Sequence, residues 1–103
     1  MNSAKSMPAQ NLPPSVFQML ERNVGKKVRV IMDSTYGFEG TLEAVTQDPA
    51  TISLSEVDAI VLRSTLAQPT PQIASREETN DLLYLNLKTV QRIEVLQRPQ
   101  SKQ

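Results

Sequence analysis

The chain has 103 residues, no net formal charge, and neither cysteine nor histidine. This length bounds it to one small domain, and the neutral balance gives no bulk attraction for nucleic acid. The missing residue types exclude disulfides, thiolate and imidazole metal ligands, and nucleophiles activated by histidine. Hydrophobic residues make up 39% and aromatics only 4%, so an aliphatic, thin core is expected, and burial against a partner would add stability. No apolar run approaches the roughly 18 residues of a membrane span. The start lacks the charged head and long apolar centre of a signal peptide. An intracellular chain, in cytoplasm or nucleus, is the expectation.

Taken in chain order, residues 1–13 read as a polar, disordered tail. Pro13, Pro14 and Ser15 open a helix, because a proline in the first turn forgoes an N–H that would be unpaired anyway. Phe17, Leu20 and Val24 recur at helical spacing, with Val16 and Met19 nearby, and predict a helix over 15–23. Gly25 ends it. Val28, Val30 and Met32 then alternate with Arg29, Ile31 and Asp33. Phe38, Gly40 and Leu42 share a face of a second run, and Ile52 and Leu54 a face of a third, opposite Thr51, Ser53 and Ser55. Period-two alternation marks strands with one buried and one wet face. Gly40, inside a strand, marks a bend or bulge. Residues 57–62 prolong the third strand. Residues 63–80, with Pro69 and Pro71 among many polar residues, read as a long variable loop. A fourth strand is expected over 81–87, a fifth over 90–96, and a polar tail from 97.

Chemistry-bearing groups are sparse. The glycines at 25, 37 and 40 fit no nucleotide fingerprint. Glu39, Glu43, Asp48, Glu56 and Asp58 occupy alternating strand and turn positions and read as solvated surface, not as an acid–base pair. Arg22, Lys26, Lys27 and Arg29 form a basic cluster that reads as a wet helix end and strand start, with phosphate contact as the alternative. No catalytic residue, metal site or cofactor is expected.

The stretch from Gly25 to Val57, with its GKKV opening and its Phe38-x-Gly40-x-Leu42 core, resembles the first signature motif of the Sm/LSm family. Residues 83–95, LYLNLKTVQRIEV, fit the apolar skeleton of the second motif, and PPSVFQMLERN fits the preceding helix. The resemblance covers about 14–96. It implies a mainly β, Sm-like fold: an N-terminal helix followed by a five-stranded, strongly bent antiparallel barrel, the sheet closing on itself. In that family the fourth strand of one subunit pairs with the fifth of its neighbour. The resemblance therefore implies a partner interface along the strand edges at Leu83, Tyr84, Leu85, Asn86, Leu87, Ile93 and Val95, with other Sm-fold chains as partners. The strand LLYLNL is apolar on both faces, which calls for burial on both.

The family's RNA-reading positions fall on Thr46, Asp48 and Ala50 in the turn between the second and third strands. Those of the second motif fall on Asn86 and Leu87, with Lys88 close by. None is of the family's usual type. Asp48 cannot stack on a base and repels phosphate, and Ala50 has no side-chain donor or acceptor. Base stacking contributes about 1–3 kcal/mol per base, so direct RNA binding through Asp48, Ala50, Asn86 and Lys88 is expected to be weak. Two functions follow from the resemblance. One is a divergent Sm-like subunit, similar to the Gemin-type Sm-fold subunits of the SMN complex, acting by protein assembly in spliceosomal snRNP formation. The other is an LSm ring subunit that binds U-rich RNA in splicing or mRNA decay.

Overall fold

The computed structural model describes residues 12–96. The expected disordered tails, up to residue 11 and from 97, lie outside the described residues. Residues 12 and 13 are anchored: the Leu12 N–H donates to the Gln47 carbonyl at 3.1 Å, and Gln47 Nε2 donates to the Leu12 carbonyl at 2.9 Å.

Helix α1 spans Pro14–Glu21, with proline in its first turn. Its last turn is closed by Arg22 N–H on the Gln18 carbonyl and by Asn23 Nδ2 on the Met19 carbonyl, 2.8 Å away. Gly25 then turns the chain at a φ of +94°, which side-chain-bearing residues rarely adopt. Gly25 N–H donates to Leu42 O at 2.7 Å and so stitches the helix exit to the sheet. Only Leu20 of the helix is fully buried, and Val24 is exposed, so the apolar stripe ends sooner than its spacing predicts.

Five strands follow: β1 Lys27–Ile31, β2 Tyr36–Gln47, β3 Ala50–Arg63, β4 Gln72–Asn86 and β5 Arg92–Val95, with a single 3₁₀ turn at Leu87–Thr89 before β5. All pairings are antiparallel, in the order β4-β3-β2-β1-β5. The expected barrel closure does not occur: β4 and β5 are the two ends of the sheet and are not hydrogen-bonded to each other. β5 is four residues long and is matched along its length to β1, from Val28 opposite Val95 to Ile31 opposite Arg92. β4 follows β3 instead, and its stretch 76–81 carries Arg76, Glu77, Glu78 and Asp81, charges that blunt a sheet edge against further pairing.

The expected loop over 63–80 is also corrected. Residues 72–80 are strand, with Gln72 opposite Arg63, Ser75 opposite Val61 and Arg76 opposite Ile60. Only residues 64–71 connect β3 to β4. The segment looks polar because one of its sides is a sheet edge in water. Ile73 is its apolar anchor, packed on Ile31, Ile60 and Leu62.

A crease runs across three strands. Register breaks in β2–β3 between Glu39 and Thr41, and in β3–β4 between Leu54 and Val57 and again between Val57 and Asp58. Glu56 and Asn80 take positive φ of 53° and 58° there, the mark of bulges that bend a sheet. Gly40 lies on the same line, and a Cβ at this position would meet the Ser55 carbonyl oxygen at 2.8 Å. The backbone packing, not only the bend, therefore requires glycine.

The main core gathers Val28, Val30, Leu42, Ile52, Leu54, Val57 and Leu85. The opposite face is not simply wet. Ile31, Ile60 and Leu62 form a second cluster there with Ile73, and Glu39 beside them is 3% exposed.

Candidate assembly edge and nucleic-acid surface

The interface residues expected from the sequence divide by the pleat of β4. Leu83, Leu85, Leu87, Ile93 and Val95 belong to or pack against the main core. Leu85 is buried and the other four are half-buried, so these side chains are largely taken up within the chain. Tyr84 and Asn86 point the other way and are exposed. Leu82, on the same side, is 56% exposed and Tyr84 is 71% exposed. Leu87 lies in the 3₁₀ turn, so the strand ends at Asn86. There the Asn86 side-chain oxygen accepts from Lys88 N–H at 2.9 Å and caps that turn.

The two free edges match in length and charge. Residues 82–86 of β4 carry no charge, unlike residues 76–81 before them. β5 presents Arg92 and Glu94, which neutralise each other through a 2.7 Å ion pair. Among the described residues nothing pairs with the outer side of either segment.

The RNA-reading candidates meet at one end of the sheet. Thr51 stands opposite Asn86, which brings the β2–β3 turn holding Asp48 and Ala50 beside the β4–β5 connection holding Lys88. Asp48 and Lys88 are exposed, whereas Ala50 is 6% exposed. A buried methyl group offers nothing to a base edge. Thr46 hydrogen-bonds the Pro49 carbonyl at 2.7 Å and also the Thr51 hydroxyl, so it is used in bracing the turn.

The basic cluster does not survive as a unit. Arg29 turns to the second face, where its Nε donates to Glu39 Oε2 at 2.6 Å and its Nη1 to Glu94 at 3.4 Å. Arg76 Nη1 donates to the other Glu39 oxygen, and to Asp58 at 3.3 Å. Glu39, expected as solvated surface, is thus a buried carboxylate clasped from β1 and β4. Burial pushes its carboxyl up, but the hydrogen bonds and charges of Arg76 and Arg29 outweigh this and hold it below the ordinary value. No sequence signal linked Glu39 to Arg76, because Arg76 lay in a segment read as loop.

Two hollows flank β5. A cleft of about 530 Å³ opens on the second face, lined by the apolar Ile31, Leu62 and Ile73 and by the charged Arg29, Asp33, Arg92 and Glu94, among others. A groove of about 370 Å³, lined almost entirely by apolar side chains, lies between α1 and β5 on the other face. Among the described residues no three His, Cys, Asp or Glu side chains converge to hold a metal, and no helix is long and apolar enough to cross a membrane. In comparisons with known proteins, no family model and no curated protein matches the chain.

Proposed function

We propose that this chain is a non-catalytic, Sm-like subunit that works by strand-edge assembly with other Sm-fold chains. Its setting is an intracellular RNA-processing complex of the kind that assembles spliceosomal snRNPs. The observation that carries the reading is the open sheet. It ends in two short, uncharged or self-neutralised edges, residues 82–86 and β5, of nearly equal length. Unpaired backbone of this sort is a template for strand addition. The charged, bulged half of β4 is closed to it, so pairing is confined to residues 82–86. Exposed Leu82 and Tyr84 support the same reading, since they leave apolar surface on this segment that a paired chain would cover.

A second reading, a ring subunit that binds U-rich RNA directly, has one observation in its favour. The β2–β3 turn and the β4–β5 connection stand side by side. The buried Ala50 and the negative Asp48 oppose it. Titration with labelled oligo-uridylate at physiological salt separates the two, and a sub-micromolar, U-specific affinity would favour the ring subunit.

The assembly reading is tested by Asn86→Pro, with Leu83→Pro for the opposite backbone phase within the same strand. Proline removes one donor while leaving the neighbouring apolar side chains in place. At least one variant should lose its co-purifying partner while circular dichroism still shows a folded β protein. Retention of the partner by both folded variants would show that assembly does not use this edge.

A further inference from the structure

We propose that the apolar groove between α1 and β5 is a docking site for the chain's own N-terminal segment, with Met7, Pro8 and Ala9 laid along it as a strap. The groove is open apolar surface. Among the described residues that line it, Leu20 alone is fully buried; Val16, Val90, Ile93 and Val95 are half-buried, and Met19 is 48% exposed. Arg92 is the one charged residue in that lining. Such a surface gains from apolar cover. Its volume of about 370 Å³, near the lower end of the roughly 300–1,000 Å³ of ligand sites, suits a few side chains and not a further element of structure.

The place where the chain enters the fold selects the occupant. Leu12 lines the groove and is fixed just before α1 by its two hydrogen bonds to Gln47. Residues 1–11, outside the described residues, are therefore tethered at this groove. α1 forms one wall, and its 8 residues are about 12 Å long. The chain from Met7 to Leu12 reaches at most about 17 Å when extended, enough to cover that length. A tethered segment meets its site at high effective concentration and without the cost of bringing two molecules together.

Composition separates this segment from the one at the other end of the chain. Residues 6–12, SMPAQNL, carry no charge and include Met7, Pro8 and Ala9. Methionine is unbranched and fills irregular apolar gaps. Proline restricts itself and the residue before it to extended backbone, the form that lies along a groove. Residues 97–103, QRPQSKQ, also start beside the groove, just past Val95 and Leu96. They hold no apolar side chain except the Pro99 ring, and Arg98 and Lys102 bring charge of the same sign as Arg92.

The chain has no cysteine, so engineered thiols report a contact cleanly. Val90 and Gln91 are neighbours in sequence but line different hollows, the groove and the cleft on the opposite face. Full-length Met7→Cys/Val90→Cys and Met7→Cys/Gln91→Cys proteins are mildly oxidised at high dilution. The Val90 pair should close within one chain about tenfold faster or more, although Gln91 is the more exposed partner. Met7→Ser alone should raise binding of an apolar dye several-fold and lower the urea midpoint, with circular dichroism unchanged. Equal closure rates, or dye binding unchanged by Met7→Ser, overturn the strap. So does faster closure of Ser101→Cys/Val90→Cys, which gives the groove to the C-terminal segment. Linkage between chains that speeds with concentration gives it to a second copy and overturns the intrachain strap. Each readout uses the isolated protein, so the strap stands or falls separately from strand-edge assembly and its test by Asn86→Pro.

Discussion

The line through Gly40, Glu56 and Asn80 divides the sheet into halves held by different forces. On one side lies the main core, where Val28, Val30, Leu42, Ile52 and Leu54 are at most 1% exposed. On the other, the β3–β4 arm of residues 58–63 and 72–79 is fastened by a small cluster around Ile60 and by the buried Glu39 with its two arginines. Burial without direction suffices for the first half. The arm has little apolar area to bury, and a paired carboxylate supplies what burial does not, in a geometry that also fixes register. The arm should therefore respond to pH and the core to volume.

The largest effect should come from the core. Leu54→Ala removes a fully buried side chain and leaves a cavity, with an expected loss of about 2–5 kcal/mol in urea unfolding. Gly40→Ala probes the boundary itself. Its Cβ would press on the Ser55 carbonyl, backbone that cannot swing aside, and the expected cost is about 1–3 kcal/mol. An unchanged midpoint would mean that the crease tolerates a side chain and is not fixed by packing.

The arm is tested by Glu39→Gln, which keeps shape and removes charge. The expected loss near neutral pH is about 1–3 kcal/mol, set by hydrogen bonds to charged groups. The folded pKa of Glu39 lies below its ordinary value of 4.5. Its contribution is therefore present above that value and is lost as pH falls through the folded pKa. Wild-type stability should decline through this acidic window more steeply than that of Glu39→Gln, and parallel curves would show that the clasp contributes nothing. The smallest effect is expected at Arg92, whose side chain is 53% exposed in its pair with Glu94. Arg92→Ala should change stability by no more than about 0.5 kcal/mol, which separates the buried clasp from ordinary surface charge.

The main core was legible in the sequence because alternation is local. Val28, Val30, Leu42, Ile52 and Leu54 repeat at the strand period, and the opposition of Leu83 and Leu85 to Leu82 and Tyr84 follows from the same rule. Gly40 announced a bend. The arm was not legible because its stabilising pair is distant in sequence: Glu39 and Arg76 are 37 positions apart. A segment that satisfies its polar groups through such a pair resembles a loop residue by residue. Glu56 holds positive φ although its side chain gives no preference for that region, and Asn80, a residue type that adopts it more readily, lay in a segment read as loop, so neither marked the crease. Closure of the barrel failed as an expectation because alternation describes faces, whereas closure depends on edge length and strand stagger.

The central claim is that residues 82–86 and β5 are edges completed by another chain. Hydrogen exchange, measured on the assembled protein and on the same protein without its partner, reads this directly at the backbone. Amides within Leu82 to Asn86 and Arg92 to Val95 whose N–H groups face the free edge should gain protection on assembly. Amides of Val30, Leu42 and Leu54 should change little, because their pairing is internal. Equal exchange at both edges with and without the partner, in a protein whose core remains protected, would contradict the account.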